Sequence, residues 1–301
     1  MPHLFTCPHC QTKTEVEDRY SGQKGQCVTC GNEIQLPQFA GASVAQATSS
    51  RTAGAVRWLV AAVVTVILLG CFVFAAVRLG GNTMNRLTEN RDRASSIRNL
   101  EKIAKALNAY AADHGSYPPQ ATRDANNSPL LSWRVLILPY LGEEELYDQL
   151  RLDLPWSDPD NMRVADDMPA VYQHPNSNEN GLYRESAYYL IIGPGTLFPP
   201  AGPLGPDGLV DDPAQTILLT EGTPLVPSGM WTEPIDLEFA KMSGQIGSNP
   251  GLDPGGLLEQ GAAIATVDGR GHVIDDTMMP SIFRALVTPS GGEPMADDTL
   301  D

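Results

Sequence analysis

No cysteine follows Cys71 in this chain of 301 residues. Disulfide bonds therefore cannot hold the C-terminal part together, and its fold must depend on a hydrophobic core and hydrogen bonds. Basic residues are scarce there too, because residues 115–301 hold 8 Lys and Arg against 28 Asp and Glu, a net charge of −20. Phosphate contacts need clustered Lys and Arg, so we expect no nucleic acid as a partner of this large domain.

The motifs of the common enzyme classes are also missing. There is no Gly-x-Ser-x-Gly, no His-Glu-x-x-His, no phosphate-binding loop and no dinucleotide fingerprint. Only His174 and His272 follow His114, and an isolated histidine is more often structural than catalytic. We therefore expect a non-enzymatic protein with no catalytic or cofactor-binding residues. The alternative is a membrane-bound hydrolase or metal-dependent enzyme that uses acidic loops.

Four of the five cysteines form two Cys-x-x-Cys pairs near the N-terminus, Cys7 with Cys10 and Cys27 with Cys30. Each pair presents two thiolates to one ion, and two pairs complete a closed tetrahedral site that prefers zinc. The pattern thus predicts a structural Zn²⁺, with His9 as an unneeded further ligand. Two disulfides or a redox pair are the alternatives. The segment resembles the short zinc ribbons at the N-termini of many bacterial membrane proteins.

An uncharged stretch runs from Trp58 to Val77, bounded by Arg57 and Arg78. A helix of about 20 residues rises about 30 Å, the thickness of the hydrocarbon core of a membrane. The sequence therefore predicts one transmembrane helix in the lipid bilayer, with a buried core helix as the alternative. Residues 38–56, rich in Ala, Ser, Thr and Gly, predict a flexible linker before it.

The orientation in the membrane depends on two opposing arguments. Two arginines lie just before the apolar stretch and five soon after it, and counting them would place the C-terminal side in the cytoplasm. The thiolates of a zinc site, however, persist best in a reducing compartment. We therefore expect a single-pass protein of the cell inner membrane, with its N-terminus in the cytoplasm and its large domain periplasmic or otherwise extracytoplasmic.

An apolar stripe at spacings of three and four residues predicts a long amphipathic helix from Met84 to His114, ended by Gly115. Further patterns predict strands and one short helix, and Asp268–Gly271 supplies a hairpin turn. The fold class is therefore α+β, with the long helix packed on an antiparallel sheet. The predicted strands are 187–192, 216–220, 262–267 and 272–274, and the predicted short helix is 281–287.

Several motifs over residues 90–293 resemble a large bacterial family of pilin-like proteins of unassigned function, of the prepilin or major-pseudopilin type. The resemblance implies a pilin-like fold and no firm activity. The residues that carry it are Arg98–Ile103, Leu107–Tyr110, His114–Pro119, Leu131–Leu136, Pro139–Leu141, Pro155–Asn161, Gly193–Thr196, Trp231–Leu237, Val267–Gly269, Arg284–Leu286 and Gly291–Glu293.

The sequence departs from that family's pattern in three places. Nothing before Trp58 resembles the prepilin cleavage motif, and the zinc ribbon stands in place of the leader, so we expect neither processing nor assembly into a pilus. The family's His, which nine residues separate from Asp-Gly, is Leu258 here. Its Cys-Pro-Ser position is His174-Pro175-Asn176.

Together these patterns predict a membrane-anchored envelope protein whose ectodomain makes contacts with protein partners. The predicted segments are a zinc ribbon (1–37), a linker (38–56), a transmembrane helix (57–79), a pilin-like acidic domain (84–293) and a disordered tail (294–301). Tryptophans 133, 156 and 231 are expected to anchor the core or loops. Two acidic clusters could bind Ca²⁺ or form solvated surface, namely Asp153, Asp158, Asp160, Asp166 and Asp167, and Asp207, Asp211 and Asp212.

Overall fold

The computed structural model describes residues 2–39, 51–175, 184–223, 230–256, 258, 260–293, 295–296 and 299–300. It divides into two compact units, Met1–Ala76 and Val77–Asp301. The segment boundaries derived from the sequence remain predictions, and most of the predicted linker lies outside the described residues.

Two small antiparallel hairpins form the N-terminal part of the first unit. Strands β1 (His3–Thr6) and β2 (Lys13–Val16) make one hairpin, and β3 (Lys24–Gln26) and β4 (Glu33–Gln35) make the other. Within residues 2–39 the only buried side chains are two cysteines, and every apolar side chain is half-buried or exposed. Packing alone therefore gives these hairpins little stability.

One helix, α1 (Arg51–His114), runs for 64 residues. It includes the amphipathic helix predicted from Met84 and ends where predicted, because Gly115 takes a left-handed conformation (φ 78°) and donates its amide to the Ala111 carbonyl. Within the part of the chain that the structure describes, no helix is long and apolar enough to cross a membrane.

The large unit contains a four-stranded antiparallel sheet in the order β12-β11-β9-β7. Its strands confirm the predicted positions to within a few residues, and the β11–β12 hairpin turns at Asp268–Gly271 as expected. The strands are β7 (Tyr188–Tyr189), β9 (Ile217–Glu221), β11 (Ala262–Thr266) and β12 (Gly271–Ile274).

The strand predicted at residues 187–192 is in fact two strands. After β7 the chain leaves the sheet, and β8 (Ile191–Ile192) pairs in parallel with β10 (Leu237–Glu238). The break falls at Leu190, whose amide donates to the Asp236 carboxylate (2.9 Å) instead of to a neighbouring strand. A side chain distant in sequence thus ends the ladder.

Both faces of the sheet are covered. On β11, Ala263 and Ala265 belong to the core cluster that includes α1, whereas Ala262 and Ile264 belong to the cluster that includes α6 (Pro280–Val287). This alternation follows from the two-residue period of a strand. Helix α1 also approaches β12 so closely that a Cβ at Gly271 would lie 2.6 Å from the Ile97 side chain.

Shorter elements complete the large unit, and none of them was predicted. Each of them is too short to show a clear hydrophobic periodicity in the sequence. They are β5 (Ala121–Arg123), β6 (Pro129–Ser132), α2 (Trp133–Leu136), α3 (Leu138–Leu141), α4 (Glu144–Gln149) and α5 (Pro159–Val164).

Replacing Leu107 by alanine tests whether α1 belongs to the core of the large unit. Leu107 is fully buried in the main cluster, so we expect Leu107→Ala to lower the free energy of unfolding by about 2–5 kcal/mol. Lys105→Ala, at an exposed position two residues away, should change it by less than about 0.5 kcal/mol. Urea unfolding of both variants measures the difference, and equal midpoints would show that α1 does not pack as described.

Candidate functional site

The two Cys-x-x-Cys turns have matching local geometry. In the first turn the Cys7 carbonyl accepts the Gln11 amide (2.9 Å), and in the second the Cys27 carbonyl accepts the Gly31 amide (2.8 Å). Gln11 and Gly31 both have positive φ, 60° and 72°. The equivalent positions in the two hairpins thus reverse the chain in the same way and aim each pair of sulfurs at a common point.

The four thiols converge as a single cluster. The Sγ atoms of Cys7 and Cys30 lie 3.9 Å apart, those of Cys10 and Cys27 lie 3.8 Å apart, and all four lie within 4.8 Å of one another. Four sulfurs placed tetrahedrally at 2.3 Å from an ion would be separated by about 3.8 Å. The cluster therefore has the spacing of a four-thiolate metal site, and all four cysteines are free thiols.

Local hydrogen bonds favour the thiolate form, which a metal needs, at two of the four cysteines. The side chain and then the backbone of Thr12 lower the pKa of Cys10 to about 6. The amides of Cys30 and Thr29 lower the pKa of Cys27. The Asn32 amide has the same effect on Cys30, but desolvation and the neighbouring sulfurs outweigh it and raise its pKa to about 11. Four thiolates cannot share so small a volume unless a cation neutralises them.

His9, weighed from the sequence as an unneeded further ligand, is exposed and lies outside the cluster. Within the described residues, the four cysteines are the group of His, Cys, Asp and Glu whose ligand atoms come within reach of one ion. This confirms that the four cysteines lie together in a geometry that could hold a metal ion.

The acidic clusters of the large unit serve other contacts. Asp158 and Asp212 accept the amides two residues ahead and cap the first turns that follow them. Both Asp211 carboxylate oxygens accept amides, from Gly291 and Gly292. Three more aspartates form ion pairs at the surface, Asp153 with Arg151, Asp160 with Arg163 and Asp166 with Arg184.

Two of the motifs that carry the family resemblance, Leu131–Leu136 and Trp231–Leu237, meet in a buried network around Asp236. One oxygen of that carboxylate, Oδ1, accepts the Trp133 indole N–H (3.0 Å), the Leu190 amide (2.9 Å) and the Arg134 guanidinium (3.3 Å). The Arg134 and Asp236 side chains are 1% and 0% exposed. Burial raises the pKa of Asp236 to about 6, although the Arg134 charge and the donors oppose that shift.

Arg134 also forms hydrogen bonds to the backbone of two other segments of the chain. Its guanidinium donates to the Tyr188 carbonyl (2.7 Å) and to the Ile235 carbonyl (3.4 Å), and it lies over the Trp133 and Tyr189 rings. The Tyr172 hydroxyl in turn donates to the Arg134 carbonyl (2.7 Å). With these bonds made, the arginine has no open face toward solvent and its role is structural.

A second buried polar residue from these motifs, Asn161, also forms hydrogen bonds to the backbone. It is fully buried, accepts the Arg151 amide (2.8 Å) and donates to three carbonyls of residues 151–155. Trp133 and Trp231 are also fully buried, and Trp156 packs against the core. The motifs that could be read as functional thus hold the fold together, as expected for the tryptophans. The sequence did not indicate the partners of Arg134 and Asn161.

An open cavity of about 650 Å³ lies on the surface of the large unit. Its wall contains five prolines, with Arg123 and Glu238 as its charged side chains. Glu238 is paired with Lys241 (2.7 Å), and the Arg123 guanidinium donates to the Asn127 carbonyl. Among the residues that line it, we find no nucleophile beside a base.

In comparisons with known proteins, one family model matches part of this chain. A family model described as "Protein of unknown function (DUF1559)" matches residues 90–210. This range begins where the family resemblance found in the sequence begins, and it includes the motifs from Arg98 to Thr196. No curated protein and no solved structure matches this chain.

The Asp236 network can be tested by removing its charge. Asp236→Asn keeps the shape and an acceptor oxygen but leaves Arg134 buried without an anion, so we expect about 3–5 kcal/mol of destabilisation. Adding Arg134→Met should recover part of that loss, because it removes the unpaired cation. Asp148→Asn, at an exposed position, is the matched control. A small effect of Asp236→Asn in denaturant unfolding would contradict the network.

Proposed function

We propose that this chain is a non-enzymatic, single-pass membrane protein of the bacterial envelope. In this proposal a zinc ribbon lies on the cytoplasmic side, and a pilin-like ectodomain makes contacts with protein partners on the other side of the inner membrane. The observation that carries the proposal is the long α1, whose apolar side chains are exposed in its first half, as far as the structure describes them, and buried in its last turns.

The membrane part of the proposal rests on the uncharged run from Trp58 to Val77 and on its exposure. Every described side chain from residue 62 to 72 is exposed, including Val66 (68%), Leu68 (63%) and Phe72 (71%). So large an apolar surface is unfavourable in water. Lipid is the cover that suits a run with the length of the hydrocarbon core.

The pilin-like part rests on how α1 joins the sheet. Leu100, Ile103, Ala104, Leu107 and Ala111 are all buried in the main cluster. Two polar contacts tie the helix to the β11–β12 hairpin: the Gly271 amide on β12 donates to Glu101, and the Asn108 amide donates to the Val267 carbonyl after β11. A long N-terminal helix laid across an antiparallel sheet is the arrangement that the resemblance implies.

We assign no reaction to this chain because its buried polar side chains are already bonded to other parts of the fold. Arg134, Asp236 and Asn161 are buried and bonded within the fold. Most aspartates of the two acidic clusters accept backbone amides or pair with arginines. None of these residues lines the open cavity of the large unit. A role in protein contacts fits this surface and the large net negative charge of the domain.

Zinc content tests the ribbon. We expect one zinc ion per full-length chain by elemental analysis and native mass spectrometry. Cys27→Ser should lose the metal and unfold residues 2–37, because metal binding supplies about 10–16 kcal/mol in such sites. Cys71→Ser, a cysteine outside the cluster, should keep the metal. A ribbon that stays folded without metal would overturn this part of the proposal.

Membrane extraction tests the anchor. The full-length protein should stay with the membrane in alkaline carbonate. Replacing Leu68 and Leu69 by arginine should release it, since each charge near the centre of a bilayer costs about 2.5–3.5 kcal/mol. The control adds the same two positive charges by replacing the exposed neutral residues Ala125 and Gln149 by arginine, and it should remain in the membrane. Release of the unmodified protein by carbonate would contradict the anchor.

A further inference from the structure

Asn126 lies in the acceptor pattern of N-linked glycosylation, Asn-x-Ser or Asn-x-Thr with any residue but proline at x. Asn127 and Ser128 complete the pattern, and in this sequence of 301 residues no other asparagine has a serine or threonine two positions later. An acidic residue, Asp124, stands two positions before the asparagine. The chain therefore contains Asp-x-Asn-x-Ser, the extended form that bacterial oligosaccharyltransferases recognise. Because so short a pattern also arises by chance, its structural context has to support it.

The pattern lies at the tip of the antiparallel β5–β6 hairpin. All five side chains from Ala125 to Pro129 are exposed, whereas the strands on either side enter the core through Ala121, Leu130 and Leu131, which are buried. A glycan is bulky and needs a surface loop as its attachment point. At this tip it would extend into solvent and displace no packed side chain.

Hydrogen bonds to and from Asp124 close the turn. Its Oδ1 atom accepts the backbone amides of Asn126 (2.9 Å) and Ser128 (2.7 Å), and its own amide donates to the Ser128 carbonyl (3.0 Å). Asn127 has a left-handed conformation (φ 65°), which asparagine tolerates better than most residues. Asn126 and Ser128 take part in these bonds through their backbone. The turn thus explains Asp124 and Asn127, but it does not require a carboxamide at position 126 or a hydroxyl at position 128.

Transfer of a glycan requires both of those groups. The Asn126 carboxamide supplies the nitrogen that receives the sugar, and the pattern demands a hydroxyl at the position of Ser128. We propose that Asn126 is an N-glycosylation site, with an oligosaccharide linked to polyprenyl diphosphate as the donor. This inference rests on the proposed function, because transferases of this class act on the extracytoplasmic side of the membrane, where the large domain would lie.

The transfer exchanges one bond for another and needs no oxidant or reductant. Asn126 Nδ2 forms a bond to the anomeric carbon of the first sugar and loses one proton to a base of the transferase. The bond from that carbon to the phosphate oxygen breaks, and polyprenyl diphosphate leaves. The product is still an amide, and the backbone hydrogen bonds that Asp124 makes in the turn do not involve the nitrogen that reacts.

Mass spectrometry of the full-length protein, purified from the membranes of the cells that produce it, tests the site. We expect a glycan on most chains, and fragmentation of the peptide should place it on Asn126. Asn126→Gln and Ser128→Ala, expressed in the same cells, should each abolish the modification, because one lacks the acceptor and the other lacks the hydroxyl. Ser128→Thr is the matched control and should keep the glycan, since threonine satisfies the pattern.

A second measurement separates this inference from the proposed orientation. Asp148→Cys places a thiol at an exposed position of the large unit, and a membrane-impermeant maleimide should label it in cells whose inner membrane is intact. If the thiol is labelled but Asn126 is unmodified, the glycosylation is wrong and the orientation stands. If the thiol is not labelled, the orientation fails and the glycosylation with it. A glycan that survives Asn126→Gln is attached elsewhere and would also overturn the inference.

Discussion

The large unit depends on one buried carboxylate. Asp236 Oδ1 is the acceptor at which three parts of the chain meet: the Trp133–Arg134 turn that begins α2, the Leu190 amide between β7 and β8, and Asp236's own segment leading into β10. Removing such a group leaves Arg134 charged and desolvated, which costs more than the pair contributes when intact. This explains why the strand predicted at residues 187–192 breaks in two, since the Leu190 amide is needed for the carboxylate and is lost to the ladder.

The two units differ in what stabilises them: the large unit has a hydrophobic core, and the N-terminal ribbon has a cluster of four thiols. The large one has covered both faces of its sheet, with α1 on one side and α6 on the other, and needs no cross-link. The ribbon has too few apolar residues to form a core, and among its described residues only Cys7 and Cys27 are buried. Its hairpins can persist only if something other than apolar burial joins them, and four thiols at tetrahedral spacing provide the means.

The sequence indicated those features whose signal is local. The two Cys-x-x-Cys pairs, the stripe from Leu100 to Ala111 and the hairpin at Asp268–Gly271 each lie within one element or one turn, and the structure confirms all three. The Arg134–Asp236 pair was invisible in the same sequence, because 102 positions separate its members and either residue alone reads as surface charge. Trp133 and Trp231 could be recognised as anchors from their size, but not as donors to Asp236 and to the Ala165 carbonyl.

The same limit explains why Ser96 and Asn99 were overlooked. They lie beside the start of the apolar stripe on α1, which the sequence begins at Ile97, and in the sequence they read as part of the polar face. In the fold they face Glu221 and Tyr188, so these polar residues belong to the contact surface and extend it by about one turn before Leu100. The attachment of α1 to the sheet therefore has two kinds of contact, hydrogen bonds to Glu221 and Tyr188 at its first packed turn and apolar packing from Leu100 onward. A hydrophobic period can indicate only the second kind, because a hydrogen bond to a strand that is distant in the sequence leaves no periodic signal.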